Sequence, residues 1–466
     1  MRFLARWCFV FIAVFLPIQN GWAEIKSAEL PKATFQSNRF ILANGLEVIH
    51  VPVHKAPVVL HMLWYHVGSK DEVEGQTGIA HFLEHLMFKR TKKYAAGEFS
   101  KEIAEIGGIE NAFTTDDMTV YYQQVQKQAL PKLMEREAER MQQLLFDSKE
   151  IEKERNVILE ERRMRLGNVP EALLAEQMRA VFFTRHPYRH PTIGWEDDIK
   201  KLSKNDLHKF YRRWYQPQNA TLVVVGDVEL EKLKPLVLRY YGALKSAGIN
   251  TAKQDRKTFA KEPFTQGNIS IKRRDALAKA TQIMQYYPAP NIANAQKPEE
   301  LYSLQVLAAL LGGGSSSRIY QNLVEQQKIA VAVSADYDPL SYGPSIFALG
   351  AIPRHGIEPE KLHQALNQEI QKICRMAPTE NEVTHVQQTL VSNVLFAQED
   401  LTALGTVYGR SAIIGVGPDY VENWTTNIEK TDAQSIQKSA CSLISAAYSL
   451  SGTLLPEEKS SVGEIK

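Results

Sequence analysis

The sequence predicts an α+β chain made of two similar α/β halves, each an antiparallel-rich sheet with helices packed on it. Three observations point there. At 466 residues the chain is longer than one hydrophobic core usually supports, so two domains or more are expected. Alternating or β-branched runs are interspersed with segments of helical periodicity, the mixture of a sheet covered by helices. After a polar, aperiodic stretch at 246–267 the order of elements starts again, which reads as a weak internal repeat. The expected division is a targeting segment 1–23, a first half 24–245, a linker 246–267, a second half 268–455 and a polar tail 456–466.

The N-terminus reads as a secretory signal. Arg2 and Arg6 flank the start, Trp7 to Pro17 is apolar, and Gly21-Trp22-Ala23 offers small residues where a signal peptidase reads them. The apolar run is shorter than the roughly 20 residues of a membrane span. Cleavage after Ala23, export to a bacterial periplasm and no later membrane attachment are expected. Lys and Arg number 55 against 53 Asp and Glu, a formal charge of +2, so no basic excess marks a nucleic-acid partner. Cys8 leaves with the signal. Cys374 and Cys441 could pair in an oxidising compartment, or each is a small buried residue of a helical segment. Neither has zinc-ligand spacing.

Taken in order, Arg39 to Val53 is two runs around Asn44-Gly45, a strong hairpin signal. Val58 to Val67 is a strand. A helix follows at Gly78 to Phe88, and another from Ala95 to Ile106 stops at Gly107-Gly108. Ile109 to Val125 reads as strands around a turn, with Thr119 to Tyr122 good strand formers. Pro131 to Leu145 is an amphipathic helix whose charge run, Glu135 to Arg140, is expected to face solvent. A helix from Ser148 to Leu166 can be capped by Asp147. His186 to Pro191 reads as a surface loop because its prolines break any ligand spacing. Helices at 202–215 and 230–241 enclose a buried strand, Ala220 to Val225. In the second half, strands at 269–272 and 281–287, a helix at 298–311, further helix at 318–327, strands at 330–337 and 345–351, and helices at 357–376 and 379–398 repeat the pattern.

Chemistry concentrates in His81-Phe82-Leu83-Glu84-His85. Residues four apart on a helix lie about 40° from each other around its axis, so both imidazoles can hold one metal ion. Glu84 flanks them, where a carboxylate can act as general base without ligating the metal. The spacing is the inverted form of the His-Glu-x-x-His zinc motif. The bland reading is a core helix that happens to carry three polar groups. Ile79, Phe82, Leu83, Leu86 and Met87 make the helix apolar nearly all round, and burying those groups unpartnered would cost several kcal/mol; a metal satisfies them.

The 148–166 helix supplies a candidate third ligand. Ile151, Glu154, Ile158, Glu161 and Arg165 are spaced three, four, three, four and share one stripe, with Val157 and Met164 flanking it. Glu160 falls on the polar face with Lys153, Asn156 and Arg163. Glu161 points inward and needs a cation, the ligand that a zinc site with one open position lacks. Glu154, two turns earlier, can orient a ligand from behind. The alternative makes both ordinary salt-bridge partners of nearby arginines.

These residues resemble the pitrilysin-type zinc peptidases, nearest the processing-peptidase branch with bacterial two-domain members. Asn44 to Val48 is similar to that family's opening hairpin. Gly78 to Thr91 is similar to its signature helix, with Arg90 where glycine is usual. Glu154 to Glu161 is similar to the block holding the third ligand, and Asn111-Ala112-Phe113-Thr114 to the edge strand that receives peptide substrates. The stretch from Gln216 to Val228 is similar to the end of the family's first half. The resemblance implies two α/β halves facing each other around a chamber, and one Zn2+ per chain on His81, His85 and Glu161. It also implies endoproteolysis of unfolded or short peptides, with Glu84 as base, Glu154 as accessory glutamate, and Asn111, Ala112 and Phe113 contacting substrate. Active single-chain relatives carry an Arg and a Tyr in the second half; here Val324 and Val331 stand in their places. The expectation is therefore the zinc-bearing subunit of a heterodimer with a homologous chain that supplies the pair, or else a homodimer. Non-catalytic peptide binding on the same fold is the alternative.

Overall fold

The computed structural model describes residues 36–246, 262, 264, 267–446 and 448–457. The expected signal segment, nearly all of the linker and most of the polar tail lie outside the described residues. Eleven named strands form two sheets. In the first half they are β1 (Asn38–Ile41), β2 (Glu47–Pro52), β3 (Val58–Tyr65), β4 (Ile109–Thr114), β5 (Thr119–Gln126) and β6 (Ala220–Gly226). In the second they are β7 (Gly267–Asp275), β8 (Gln282–Ala289), β9 (Ala330–Tyr337), β10 (Ser345–Pro353) and β11 (Tyr448–Pro456). The helices of the first half are α1 (Ile79–Leu86), α2 (Glu98–Glu105), α3 (Leu130–Gln143), α4 (Ser148–Arg162), α5 (Pro170–Phe182), α6 (Glu196–Lys201), α7 (Lys204–Trp214) and α8 (Leu230–Tyr240). Those of the second are α9 (Pro298–Gly312), α10 (Pro359–Arg375), α11 (Glu380–Ala397), α12 (Leu401–Ile414), α13 (Pro418–Glu422), α14 (Trp424–Glu429) and α15 (Ala433–Ser445). The fold is thus the α+β pair of halves that the sequence predicts. Among the described residues no helix is long and apolar enough to cross a membrane.

The first sheet runs β1-β2-β6-β3-β5-β4, the second β7-β11-β8-β10-β9. Each contains one parallel pair, β2 with β6 and β11 with β7. The Asn44-Gly45 turn closes the β1–β2 hairpin, and Gly45 is required there: its φ is +88° and a Cβ would lie 2.7 Å from that of Gln218. Because side chains alternate along a strand, β3 feeds two cores. Val59, Leu63 and Tyr65 pack under α1, α3, α7 and α8. Leu60, Met62 and Trp64 face the other way.

What covers that other face was not legible from local pattern. Helix α12, from the second half, lies across it, putting Leu404, Tyr408 and Ala412 against Leu60, Met62 and Trp64. Gly405 and Gly409 allow the approach, since a Cβ on Gly409 would sit 2.0 Å from the Trp64 ring. The second sheet is covered in return by α5 of the first half, whose Leu174, Met178 and Phe182 pack on Leu450 and Leu454 of β11. Each half therefore lends a helix to the other. Cys374 and Cys441 form a disulfide that ties α10 to α15.

Three sequence expectations need correction. The charge run of α3 is not a solvated face, because Arg136, Glu137, Glu139 and Arg140 are buried. Glu137 lies four residues after Leu133 and Arg140 seven, so both share its core-facing side. His186 to Pro191 is not a surface loop. His186, Tyr188 and His190 are buried, and the Tyr188 hydroxyl accepts the N–H of Gly343 from the second half at 2.9 Å. Val157 and Met164 lie in solvent, 50% and 48% exposed. The stripe of α4 is narrower than drawn because this helix packs mainly along the line of Ile151, Glu154 and Ile158.

Candidate metal centre

Helix α1 begins after Gly78, whose φ of +86° suits glycine. That residue offers no side-chain cap, so the orphan N–H groups of the first turn are satisfied from outside. The Glu72 carboxylate accepts from Gly78 N at 2.8 Å and Ala80 N at 2.9 Å. Burial pushes the Glu72 carboxyl well up, against the pull of those two bonds. Sequence reasoning missed Glu72, because a cap six to eight residues from its helix matches no local signature. Helix α4 starts as expected, with the Asp147 side chain accepting from Lys149 N and Glu150 N.

The two helices cross so that three side chains from two distant stretches meet. The rings of His81 and His85 lie 4.7 Å apart. Glu161 Oε2 is 3.8 Å from His81 Nε2 and 3.2 Å from His85 Nε2. One ligand atom from each of the three lies within 4.8 Å of the others. Bonds of about 2.0–2.2 Å in a tetrahedron put donor atoms roughly 3.4 Å apart, so two imidazoles and this carboxylate fit a zinc ion. Glu160 faces solvent, paired with Arg163.

A surrounding ring holds the three in place. Glu154 Oε1 is 2.9 Å from His85 Nδ1, which leaves His85 Nε2 turned to the site. Lys89 Nζ meets the other Glu154 oxygen at 2.6 Å, and Arg165 meets Glu161 Oε1 at 2.6 Å. Glu84 is buried beside the histidines, where it accepts from the Thr114 hydroxyl at 2.5 Å. Lys89 and Thr114 are further members that sequence reasoning missed. Lys89 follows His85 by four residues and could have been read from helical spacing; Thr114 comes from another element and carried no such signal.

The electrostatics suit a cation. Burial, aided by neighbouring His85, lowers the His81 imidazole to about 3. Burial raises Glu161, but the hydrogen bond from His85 and the nearby positive charges outweigh it and hold the carboxyl at about 2. Burial opposes charge on His85, yet its bonds to Glu154 and Glu161 hold it at about 9. Burial pushes Glu84 up to about 7, against the Thr114 bond. Near neutral pH, then, Glu161 is ionised, His81 is neutral, and His85 carries the one proton that a metal must displace. Zinc affinity is expected to rise about tenfold per pH unit up to about 9. Calorimetry at pH 7 in buffers of different ionisation enthalpy should show about one proton released per zinc bound.

Asn111, Ala112 and Phe113 lie on β4, the outer strand of the first sheet. Asn111 Oδ1 accepts the N–H of Ala112 at 2.8 Å, so the strand's own side chain occupies that donor. Phe113 packs edge-on against Trp64, on the face away from α1.

Residues 48–195 match the family described as insulinase (peptidase family M16), and residues 201–390 match the one described as peptidase M16 inactive domain. A Rickettsia felis protein named as an uncharacterized zinc protease is 30% identical over 394 residues, covering 84% of this chain and 92% of that one. The chain belongs to the M16 peptidase family. A zinc protease PqqE of Helicobacter pylori is 36% identical to this M16 chain over 291 residues, spanning 62% of this chain and 64% of that relative. The crystal structure of a protease from Helicobacter pylori superposes with a TM-score of 0.84 at 28% identity, covering 91% of this chain and all of that one. The M16 segment 48–195 contains His81, Glu84, His85, Glu154 and Glu161, whereas Val324 and Val331 fall in the segment matched by the inactive domain.

Proposed function

We propose that this M16 chain is a zinc-dependent endopeptidase of unfolded or short peptides, with His81, His85 and Glu161 as metal ligands and Glu84 as general base. The observation that carries the reading is Glu161. It arrives from a helix far along the chain, with its oxygen within 3.8 Å of both imidazole Nε2 atoms and Glu84 beside them. Zinc bound there would supply a Lewis acid that polarises the scissile carbonyl and makes a water acidic enough to attack it. Glu84 takes the proton from the attacking water and returns it to the departing amine. Glu154 keeps His85 in the tautomer that offers Nε2. The substrate lies along β4 as an added strand, displacing the Asn111 side chain from Ala112 N–H. Backbone bonding of this kind binds an extended segment with little demand on its sequence, and folded proteins seldom offer one.

The metal-bearing part in this reading is 24–245 and the homologous half without metal is 268–455. The second half offers little chemistry where relatives carry their Arg and Tyr: Val324 is buried in its core and Val331 is an exposed valine on β9. Among the described residues, every hydrogen bond and ion pair at His81, Glu84, His85, Glu154 and Glu161 is to another residue of the first half. A homologous chain that supplies the missing groups completes the site, so the working form is a heterodimer. The disulfide agrees with export to an oxidising compartment such as the periplasm.

The test is a pull-down with the mature chain, followed by cleavage of an unstructured peptide with and without the recovered partner. Recovery of a homologous chain and a rate that rises by about 100-fold or more on adding it supports the heterodimer. Full activity of the isolated chain removes it. If the zinc-loaded pair cuts nothing, the non-catalytic peptide-binding reading, favoured by Val324 and Val331, takes over.

A further inference from the structure

The base is held by the same strand that is read as receiving the peptide. Thr114 Oγ1 donates to Glu84 Oε2 at 2.5 Å, and Thr114 is the last residue of β4, opposite Thr119 of β5. Side chains alternate along a strand. Thr114 therefore points with Ala112, which packs towards the core under α1, and away from Phe113, which packs on Trp64. A hydroxyl bonded to one carboxylate oxygen fixes the rotation of the group. With Oε2 occupied, Oε1 is the oxygen left to take a proton.

The chain just after Thr114 is anchored from both halves. Ser69 N and Lys70 N donate to the carbonyls of Thr115 and Asp116, each at 3.0 Å. Arg179 meets the Asp116 carboxylate at 2.8 Å. Asp117 Oδ2 accepts from the Tyr188 hydroxyl at 2.6 Å and from Tyr342 N at 3.3 Å. Tyr188 accepts from Gly343 N in turn. The buried His186–His190 segment thus gains a purpose: it ties the second half to the turn from which Thr114 enters the site. Among the described residues no strand pairs with the outer edge of β4 up to that fixed point.

We propose that Thr114 is the positioning residue of the base. Its hydroxyl orients the Glu84 carboxylate, and the anchored β4–β5 turn carries that hydroxyl on the strand that pairs with substrate. Peptide register and base alignment are then set by one rigid piece. The inference rests on reading Glu84 as the base.

Thr114→Val removes the donor at nearly constant shape, and Thr114→Ser keeps it. Both are measured on an unstructured peptide with the zinc-loaded full chain, together with its partner chain where the pull-down supplies one. Thr114→Val is expected to lower kcat about 10- to 100-fold, the worth of one hydrogen bond to a charged group. KM should stay within about twofold, since the interaction lost is not one with bound substrate. Zinc content and thermal midpoint should not move, and Thr114→Ser should recover kcat to within about threefold. An unchanged kcat in Thr114→Val overturns the inference. So does equal damage by Ser and Val with KM and stability altered, which would mark a packing role. If Glu84→Gln remains active, the base reading falls, and this inference with it; if Glu84→Gln is dead and Thr114→Val is not, this inference alone falls.

Discussion

Glu84→Gln is expected to reduce peptide hydrolysis by about 10²–10⁴-fold, the usual contribution of general acid–base catalysis, while zinc stays bound at one ion per chain. The substitution keeps size and shape in a position that is only 9% exposed. The Gln carbonyl can still accept from Thr114, so the hydrogen bond and the packing under α1 survive. What is lost is the ability to take a proton and hand it on. No ligand atom is removed, because Glu84 stands outside the cluster of His81, His85 and Glu161. Glu161→Gln should behave in the opposite order: zinc content falls first, and activity follows it. Metal analysis beside a cleavage assay separates the two. A Glu84→Gln chain that cuts normally would remove this residue from the chemistry, and one that arrives without zinc would make it a ligand.

The contrast between the two glutamates also shows why the site was legible in the sequence. Helical periodicity converts spacing into direction, so His81 and His85 at four apart, and Glu154 and Glu161 at seven apart, announce their faces without any knowledge of the fold. Glu160 and Glu161 were separable for the same reason. The two-half organisation followed from the internal repeat and the edge position of β4 from the family resemblance, while the strand order within each sheet was not read from the sequence. Residues that resisted reading depend on what another element covers. Thr114 matters because β4 ends beside α1. Glu72 caps a helix from a preceding loop. His186 and Tyr188 are buried because the second half reaches Gly343 to them. The lending of α5 and α12 between the halves leaves no periodic trace, since an apolar helix reads alike whichever sheet it covers. The disulfide joins residues 67 apart in sequence, and only the packing of α10 on α15 brings them together.

The largest stability effect is expected where the charge run of α3 was misread. Arg140 is 2% and Glu137 0% exposed. Arg140 Nε donates to Glu137 Oε2 at 2.7 Å and Nη2 donates to the other oxygen, a two-point bond. Gln123 of β5 adds a bond to Glu137 at 2.6 Å, and Glu110 of β4 lies 3.6 Å from Arg140. The guanidinium also stacks 4.6 Å from the centre of the Tyr121 ring. Burial drives Glu137 upward in pKa, against the attraction of Arg140. Arg140 is therefore what allows the two carboxylates, Glu137 and Glu110, to stay in the core. Arg140→Leu strands both carboxylates in a dry core and should cost about 3–5 kcal/mol, whereas Glu137→Leu leaves Arg140 beside Glu110 and should cost less. The double change to Leu removes both charges and should return part of that loss, the remainder being the cost of Glu110 left without its cation. Denaturant midpoints of the three variants form a double-mutant cycle that reads the coupling directly. Near-additive losses would mean that the two side chains are solvated independently and that α3 does present its charges to water. A strong coupling would also reach the site, because Gln123 and Glu110 belong to the two strands that carry Thr114 to the base.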